Sequence, residues 1–415
     1  MNLEAWLARI EKLHPAEIEL GLARISTVAD RLQLLPVAGN VIVVAGTNGK
    51  GSTVALLDQL ARAAGKKTAV YTSPHLLRFN ERVRINGELA GDDALCLAFD
   101  AIERARGDIA LTYFEYTTLA ALIIFKQNQP DLTILEVGLG GRLDAVNIVD
   151  ADVSIITSIG LDHTDWLGDT VDAIAAEKAG VRRANKPLLF AGDEMPEVIA
   201  ELCFQDNVPL MRAGEQFGWN GRHIFWQDGT TSTREQAACE TPIKLGDDNL
   251  AGAVQALALL GFLDKGVISS VAANARVPGR SQHKEIDGVT WVFDVGHNAE
   301  ALSRFVERLP RISGKTVALV GMLADKPAQR ALAPFVSLVS HWYLAALSGA
   351  RGQSAAQLRK ALPDVLSPAM VDEFADVASA VSAVSERLGQ QDRVLVFGSF
   401  HTVAEAATAL SISLE

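Results

Sequence analysis

Short apolar runs alternate with amphipathic stretches through the first half of the chain. The runs lie at residues 40–46, 66–73, 131–138, 153–160 and 187–192. Runs of this length are typical of strands buried on both faces of a parallel sheet. The stretches with helical spacing lie at residues 3–12, 52–65, 91–107, 116–128 and 169–181. The alternation predicts an α/β fold with a doubly wound parallel sheet, in which ligands bind where the strands end.

The second half of the chain predicts a separate, smaller domain. Residues 214–239 lack helical spacing and favour a small β excursion, after which 247–263 returns to a helix. The run 275–282 combines proline, glycine and serine, which favours a linker. Further strand candidates lie at residues 288–296, 315–322, 340–347 and 393–400. We therefore expect a large domain at 1–276, a linker at 277–284 and a Rossmann-like α/β domain at 285–415.

Composition and charge exclude several classes of protein. The chain has 415 residues, about half of them apolar, and a formal net charge of −12. That charge disfavours a nucleic-acid surface, which needs lysine and arginine against the phosphates. No apolar run approaches the ~20 residues of a membrane helix, and the N-terminus lacks the apolar core of a signal peptide. The three cysteines lack metal-ligand spacing. We expect reduced thiols in a cytoplasmic protein that binds neither nucleic acid nor membrane.

The sequence GTNGKGS at residues 46–52 is typical of a phosphate-binding loop. It follows a predicted strand and begins a predicted helix, which is the context that such a loop requires. Its glycines allow backbone N–H groups to line an anion site. Lys50 can reach the terminal phosphates, and Ser52 or Thr53 can offer a hydroxyl to Mg²⁺. Gly51 is unusual, because the common pattern places serine or threonine directly after lysine. A glycine turn that merely begins a helix is disfavoured, because lysine and serine are both present.

Three more polar residues stand close to the predicted carboxyl edge of the sheet. Glu136 ends a strand and precedes closely spaced glycines, so its carboxylate suits Mg²⁺, which prefers oxygen ligands; the alternative is a charge that caps a strand end. His163 follows the next strand among aspartates, and a ligand role and an ordinary surface or core role are equally open. Lys178 lies beside Glu177 on an otherwise apolar helix. By itself it is more typical of a lysine that extends its amine to solvent and pairs with a carboxylate.

A series of motifs covers nearly the whole chain. They are GTNGKGS (46–52), SPHL (73–76), ERVRING (81–87), TYFEYTT (112–118), EVGLGGRLDAVN (136–147), SIGLDHTDWLGDT (158–170), EKAGV (177–181), PGR (278–280), DVGHN (294–298), GMLADK (321–326) and FGSFHTV (397–403). In these residues the chain resembles the folylpolyglutamate synthase and dihydrofolate synthase group of ATP-dependent amide ligases, in the Mur ligase superfamily. The resemblance includes the unusual Gly51. Small departures, such as Val146, Val295 and Pro327, replace no side chain to which we assign chemistry.

The resemblance implies a P-loop-type ATP site with two Mg²⁺ ions, and it raises K⁺ as a further cation. The implied ATP contacts are Gly46, Thr47, Asn48, Gly49, Lys50, Gly51, Ser52, Asn249, Arg280, Asp294 and His297. Ser52 and Glu136 would bind one Mg²⁺, and His163 and Lys178 the other. Lys178 would be N-carboxylated (carbamylated), which converts a cation into a metal-binding carboxylate and reverses the interpretation above. The expected catalytic residues are Lys50, His163, Lys178 and Arg280.

The resemblance also implies the substrates. The implied pterin-side residues are Thr112, Tyr113, Phe114, Glu115, Arg142, Leu143, Asp144, Ser73, His75 and Arg82, with residues 20–25 as a further part of that pocket. Activity would consist of adding L-glutamate to dihydropteroate, forming dihydrofolate, and to folates, forming folylpolyglutamates. Both steps would use an acyl phosphate and release ADP and phosphate. Residues 111–122 resemble the bifunctional bacterial form, so we expect both activities, in a monomer that acts on small molecules.

Several alternatives remain at this stage. One is a monofunctional folylpolyglutamate synthase. Another is a Mur-type ligase of cell-wall synthesis, against which stand Gly51 and a phosphate loop that begins only about 45 residues into the chain. A P-loop switch that couples hydrolysis to a partner would need switch segments, whereas these strand ends carry metal-ligand candidates and glycine turns. A non-catalytic homologue is disfavoured because Lys50, Glu136 and Lys178 are all present.

Overall fold

The computed structural model describes residues 1–14, 19–231, 233–239, 243–349, 351–363 and 368–414. It divides into two compact units, Met1–Ala275 and Arg276–Glu415. Residues 282–284, the last part of the predicted linker, lie in a strand of the second unit. The residues of that strand are polar and alternate between half-buried and exposed. Its sequence therefore lacks the apolar run by which the other strands were predicted.

The first unit is built on an eight-stranded, mostly parallel sheet. Its strands are β1 (Asn40–Ala45), β2 (Thr68–Tyr71), β3 (Val83–Ile85), β4 (Glu88–Leu89), β5 (Leu132–Glu136), β6 (Val153–Ile156), β7 (Leu188–Phe190) and β8 (Leu210–Arg212). The spatial order is β4-β3-β2-β5-β1-β6-β7-β8, in which only β3 and β4 are antiparallel to their neighbours. Val44 of β1 is opposite Glu136 of β5 and Ile155 of β6. The three strand ends therefore meet at one edge.

Helices pack around this sheet. They are α1 (Leu3–Ile10), α2 (Ala23–Arg31), α3 (Lys50–Ala63), α4 (Asp92–Arg106), α5 (Tyr113–Asn128), α6 (Thr164–Leu167), α7 (Val171–Ala179), α8 (Glu197–Gln205), α9 (Asp247–Leu259) and α10 (Ile268–Asn274). Short 3₁₀ turns occupy Phe79–Arg82, Ala145–Ile148 and Lys265–Val267. Helix α5 is buried along most of its length, as expected of a helix that is apolar on every side.

The predicted β excursion is present as a separate three-stranded sheet. Its strands are β9 (Gly218–Trp219), β10 (His223–Gln227) and β11 (Arg234–Ala238), antiparallel in the order β11-β10-β9. The buried side chain of Gln255 on α9 accepts from Gln227 N and donates to Gln227 O, both at 2.9 Å. These two bonds hold the small sheet against the helix that also packs on α3.

The second unit is a smaller α/β layer structure. Its strands are β12 (Gln282–Ile286), β13 (Val289–Asp294), β14 (Thr316–Val320), β15 (His341–Ala345), β16 (Val371–Phe374) and β17 (Arg393–Phe397). Its helices are α11 (Ala299–Arg308), α12 (Ala328–Leu332), α13 (Ala355–Ala361), α14 (Val377–Ser385) and α15 (Phe400–Ala409), with 3₁₀ turns at Ala333–Phe335 and Pro368–Met370. The order is β12-β13-β17-β14-β15-β16, parallel except for β12.

The predicted fold class is confirmed in both units. The predicted strands and the principal helices are present, with ends that differ by a few residues. The elements that the pattern did not predict are short or polar, as in α2, β3, β4, β12 and β16. Which of their residues are buried depends on the elements that pack against them, so the spacing of apolar residues in their sequences shows little periodicity. Among the described residues, no helix is both long and apolar enough to cross a membrane.

Candidate active site

The phosphate-binding loop connects β1 to α3 and adopts backbone angles that favour glycine. Gly46 has φ of +147° and Gly49 has φ of +89°. A Cβ atom at Gly49 would lie 2.5 Å from Asn249 Oδ1, so close approach as well as φ requires glycine there. Helix α3 begins at Lys50, two residues earlier than the pattern predicted. The N–H groups of its first turn therefore belong to the loop, and they form an anion site.

Residues that follow β6 hold the loop in place. Thr47 N donates to Ser158 O at 2.8 Å, and Asn48 N donates to Ser158 Oγ at 3.0 Å. Thr157 Oγ1 donates to Asn48 O at 2.6 Å. Neither Thr157 nor Ser158 was predicted as a site residue, although Ser158 begins the motif at 158–170. Their position directly after a buried strand, beside β1 in a parallel sheet, is the signal that could have identified them.

Asn249 supports the loop from α9. Its Oδ1 accepts from Thr53 Oγ1 at 3.1 Å, and its Nδ2 donates to Leu245 O at 2.6 Å. The side chain is buried behind Gly49. The structure thus brings the predicted ATP-contacting Asn249 to the loop, where it fixes the loop's shape.

Two lysine amines converge on one carbonyl of the loop. Lys50 Nζ donates to Gly46 O at 2.9 Å, and Lys178 Nζ donates to the same oxygen at 3.0 Å. Lys178 is only 5% exposed. Burial, and next the positive charge of Lys50, lower the pKa of Lys178 to about 7, which Asp162 and Asp144 partly oppose. Lys178 therefore does not extend to solvent, and its neighbour Glu177 pairs instead with Arg142 at 2.8 Å.

Glu136 faces the start of α3 from the end of β5. Its side chain is buried, and Oε2 accepts from Ser73 N at 3.2 Å. A Cβ atom at Gly51 would lie 3.8 Å from Oε1 and 3.9 Å from Oε2. The absence of a side chain at Gly51 leaves the space in front of this carboxylate open. Together with the Ser52 hydroxyl in the same helical turn, Glu136 forms an oxygen donor set that fits Mg²⁺.

His163 stands at the turn before α6. Its backbone is left-handed, with φ of +52°, and its side chain is about one-third exposed. Nε2 lies 3.9 Å from Asp162 Oδ2. Among the described residues, no group of three histidine, cysteine, aspartate or glutamate side chains could by itself hold a metal.

The glycine-rich turn after β5 packs tightly on the end of α7. A Cβ atom at Gly141 would lie 2.8 Å from Glu177 O and 2.9 Å from Lys178 O, so glycine allows the turn to reach the helix that carries Lys178. Asp144 is buried and accepts from Leu139 N at 2.8 Å and Val146 N at 3.0 Å. Burial raises the pKa of Asp144 to about 6, although the backbone donors oppose this.

The turn's other predicted substrate residues lie nearer the surface. Arg142 is mostly exposed, with Nη2 2.8 Å from Glu177 Oε1, and Leu143 is half-buried.

Thr112 and Glu115 form the N-terminal cap of α5. Thr112 Oγ1 accepts from Glu115 N at 3.2 Å, and Glu115 Oε2 accepts from Thr112 N at 2.8 Å. Arg24, in the predicted pocket segment 20–25, lies 3.3 Å from the Glu115 carboxylate. Tyr113 and Phe114 occupy the first turn. The Phe114 ring packs directly against Gly138, where a Cβ atom would lie 2.6 Å from Phe114 Cζ.

The segment that carries Ser73, His75 and Arg82 folds around a buried carboxylate. Glu81 accepts from the backbone N–H groups of Leu76, Leu77 and Arg78 at 2.7 to 2.8 Å. Arg82 Nε donates to His75 Nδ1 at 2.8 Å. Ser73 connects this segment to Glu136, so it lies beside the proposed metal carboxylate.

In the second unit, two of the three predicted ATP-contacting residues lie at the end of β13 and on the loop that follows it. Asp294 is buried and accepts from Gly296 N at 2.7 Å and from Ser281 N at 2.9 Å. His297 Nδ1 lies 3.0 Å from Val295 O. The third, Arg280, precedes β12, and its guanidinium carbon lies 5.7 Å from the centre of the Phe400 ring. Within this unit, Asp294 therefore joins the segment of Arg280 to the loop of His297.

Comparison with known proteins places this arrangement in a family. Residues 44–216 match the Mur ligase middle domain, and residues 279–400 match the Mur ligase glutamate ligase domain. The dihydrofolate synthase/folylpolyglutamate synthase of Escherichia coli K12 is 44% identical over 97% of this chain and 94% of its own length.

Two solved structures are similar over almost the whole chain. Escherichia coli FolC in complex with DHPP and ADP has a TM-score of 0.90 at 42% identity, covering 99% of this chain and 98% of that one. A bifunctional folylpolyglutamate synthase/dihydrofolate synthase with Mn, AMPPNP and L-glutamate bound has a TM-score of 0.88 at 43% identity, with the same coverage.

Proposed function

The chain belongs to the dihydrofolate synthase/folylpolyglutamate synthase family of Mur-type ligases, and from this membership we propose an ATP-dependent amide ligase that joins L-glutamate to dihydropteroate and to folates. The observation that carries the proposal is the convergence of Lys50 and Lys178 on Gly46 O, with the Glu136 carboxylate at the same sheet edge. A loop shaped for phosphate, the Lys50 amine, a buried carboxylate and a second lysine that can be modified suit the transfer of a phosphoryl group.

The chemistry that these residues must support begins with the repulsion between two anions. The substrate carboxylate attacks the γ-phosphate of ATP and forms an acyl phosphate, and the amino group of L-glutamate then displaces phosphate. Lys50 and the N–H groups at the start of α3 bind the phosphates and offset the negative charge. Bound Mg²⁺ would supply further positive charge to the phosphate oxygens. Arg280 would contribute one more cation. We assign no general base for the glutamate amine.

We propose for the metals the residues that the family resemblance implies. Ser52 and Glu136 would hold one Mg²⁺, and His163 and a carbamylated Lys178 would hold the second. Carbamylation requires a neutral amine, and the buried Lys178, with its pKa lowered to about 7, supplies a far larger neutral fraction at physiological pH than an exposed lysine does. As a carbamate, the side chain would carry oxygen ligands and a negative charge beside Lys50. In addition to the two Mg²⁺ ions, we propose K⁺ as a third bound cation, to which we assign no ligands.

The pterin side is formed by the first unit. We assign Thr112, Tyr113, Phe114 and Glu115 to this pocket, together with the Arg142, Leu143 and Asp144 turn and the Ser73, His75 and Arg82 segment. Asp144 and Thr112 are buried polar residues that the fold fixes rigidly, so a ligand would meet a preorganised surface. We propose both ligase activities, with a monofunctional folylpolyglutamate synthase as the second candidate.

The remaining assignments concern the domains, the cellular compartment and the oligomeric state. We propose that the first unit, with the phosphate loop and Asn249, is the ATP-binding domain. We also propose Asp294 and His297, in the second unit, and Arg280, in the predicted linker at 277–284, as ATP contacts. A cytoplasmic monomer is the form we propose, supported by the acidic charge and by the absence of a disulfide among the described cysteines.

The deciding experiment is phosphate release from ATP with L-glutamate present, comparing dihydropteroate with tetrahydrofolate as the acceptor. Release with both acceptors is expected. Release with tetrahydrofolate alone would establish the monofunctional candidate. Release without any acceptor would indicate a nucleotide hydrolase, and release only with cell-wall precursors would indicate a different Mur-type ligase.

A further inference from the structure

Arg82 is largely buried, at 8% exposure, and no carboxylate among the described residues pairs with its guanidinium. Nε donates to His75 Nδ1 at 2.8 Å, while neither Nη atom has a hydrogen-bond partner in the described part of the chain. A guanidinium held in this way keeps two donors that can bind an anionic ligand.

Aromatic rings fix the orientation of this guanidinium. Its Cζ lies 5.5 Å from the centre of the Tyr113 ring and 5.8 Å from that of Phe79. These two rings meet edge to face at 85°. Burial raises the pKa of Tyr113 to about 12, so the phenol stays neutral and offers no negative charge to Arg82. With Nε occupied by His75, the two Nη atoms form the remaining edge, and that edge matches a carboxylate in a bidentate pair.

Arg82 is connected to the reacting end of the proposed site by a short backbone path. Thr72 N donates to Arg82 O at 2.9 Å, and the next residue, Ser73, donates its N–H to Glu136 Oε2 at 3.2 Å. Glu136 is the proposed metal ligand beside the phosphate loop. Arg82 is thus tied to the segment where a carboxylate must be activated.

The two proposed acceptors differ in the carboxylates that they bring to this region. Dihydropteroate has a single carboxylate, which is the one that reacts. A folate that accepts another glutamate reacts through its γ-carboxylate, and it carries an additional α-carboxylate on the same residue. Only the folate therefore presents an unreacted anion next to the reacting group.

We propose that Arg82, oriented by His75, binds the spare α-carboxylate of the folate acceptor and so determines specificity for the second of the two ligations. This inference rests on the proposed function and deepens it. Arg82 would then contribute more to the binding of folate than to the binding of dihydropteroate.

The test compares steady-state kinetics of wild type and Arg82→Gln with both acceptors. We expect the ratio of the KM for tetrahydrofolate to the KM for dihydropteroate to rise at least about tenfold, the scale of a lost charge-assisted hydrogen-bond pair. Arg104→Gln is the matched control, because Arg104 is an exposed arginine of α4. An equal rise for both acceptors, or no rise for either, would overturn the inference.

A substrate analogue tests the same contact without depending on the fold of a variant. In tetrahydrofolate whose α-carboxylate is replaced by a carboxamide, the negative charge is lost while the γ-carboxylate remains. The wild type should show a raised KM for this analogue, and Arg82→Gln should discriminate little between analogue and parent. If the wild type accepts both equally well, the inference fails. If the wild type ligates neither dihydropteroate nor tetrahydrofolate, the proposed function itself fails.

Discussion

Gly51 offers a change in which stability and activity should move in opposite directions. It is the second residue of α3, and its φ is not among the positive values, so alanine can adopt the same helical backbone. Replacing glycine by alanine in a helix stabilises it by about 0.5 to 1 kcal/mol. For a unit of this size, that corresponds to a rise in Tm of about 1 to 4 °C. Among the described residues outside its own helix, the methyl group would meet the two Glu136 carboxylate oxygens, at 3.8 and 3.9 Å.

The same methyl group would obstruct the proposed metal. It would lie in contact with both oxygens of the carboxylate that we propose as a Mg²⁺ ligand, and so would reduce the space for the ion and its other oxygen ligands. We expect the Mg²⁺ concentration for half-maximal ligation to rise at least tenfold, and kcat to fall by about two orders of magnitude.

The assay is phosphate release during Mg²⁺ titration, alongside thermal unfolding. Gly91→Ala is the control, because a Cβ there would have no atom within 4 Å. A Gly51→Ala enzyme with wild-type kcat and an unshifted Mg²⁺ titration would refute the metal position.

Three other changes test the remaining parts of the site. Lys178→Ala should abolish ligation, and added short-chain carboxylic acids should partly restore it by replacing the carbamate; wild-type rates in phosphate release would disprove the second-metal assignment. Glu136→Gln keeps an acceptor for Ser73 N but removes the negative charge. It should weaken the dependence of ligation on Mg²⁺ and slow turnover about 10²- to 10³-fold. An unchanged Mg²⁺ titration would contradict the role of Glu136 as a Mg²⁺ ligand. Asn249→Ala leaves Thr53 Oγ1 and a backbone carbonyl without their buried partner, which should lower the free energy of unfolding by about 2 to 4 kcal/mol; a wild-type urea midpoint would show that Asn249 does not support the loop.

Lys178 shows what could not be predicted from the sequence alone. An apolar helix with one lysine beside a glutamate is most often a surface lysine, and the pattern contains nothing that says which way the amine points. The structure pairs Glu177 with Arg142 and buries the Lys178 amine against Gly46 O. These contacts join residues far apart in the chain, so local spacing could not predict them.

Glu115 is a second example. It caps α5 and forms an ion pair with Arg24, and it stays among the residues that we propose for the pterin side. The capping box is readable from the sequence, because threonine precedes glutamate by three residues at the start of an apolar stretch. The pairing with Arg24 is not, because it depends on how α2 packs beside α5.

The sequence by itself determined the class of fold, the phosphate loop and the candidate metal carboxylate. These depend on local regularities: continuous apolar runs make buried strands, and glycine makes a loop that backbone N–H groups can line. The tertiary structure alone decided which strand ends meet, since β1 lies between β5 and β6 although β5 follows it by more than 80 residues. That order brings Glu136, Ser158 and Lys178 around one loop. Burial then changes their chemistry, because desolvation depends on every residue packed nearby and on no single segment of the chain.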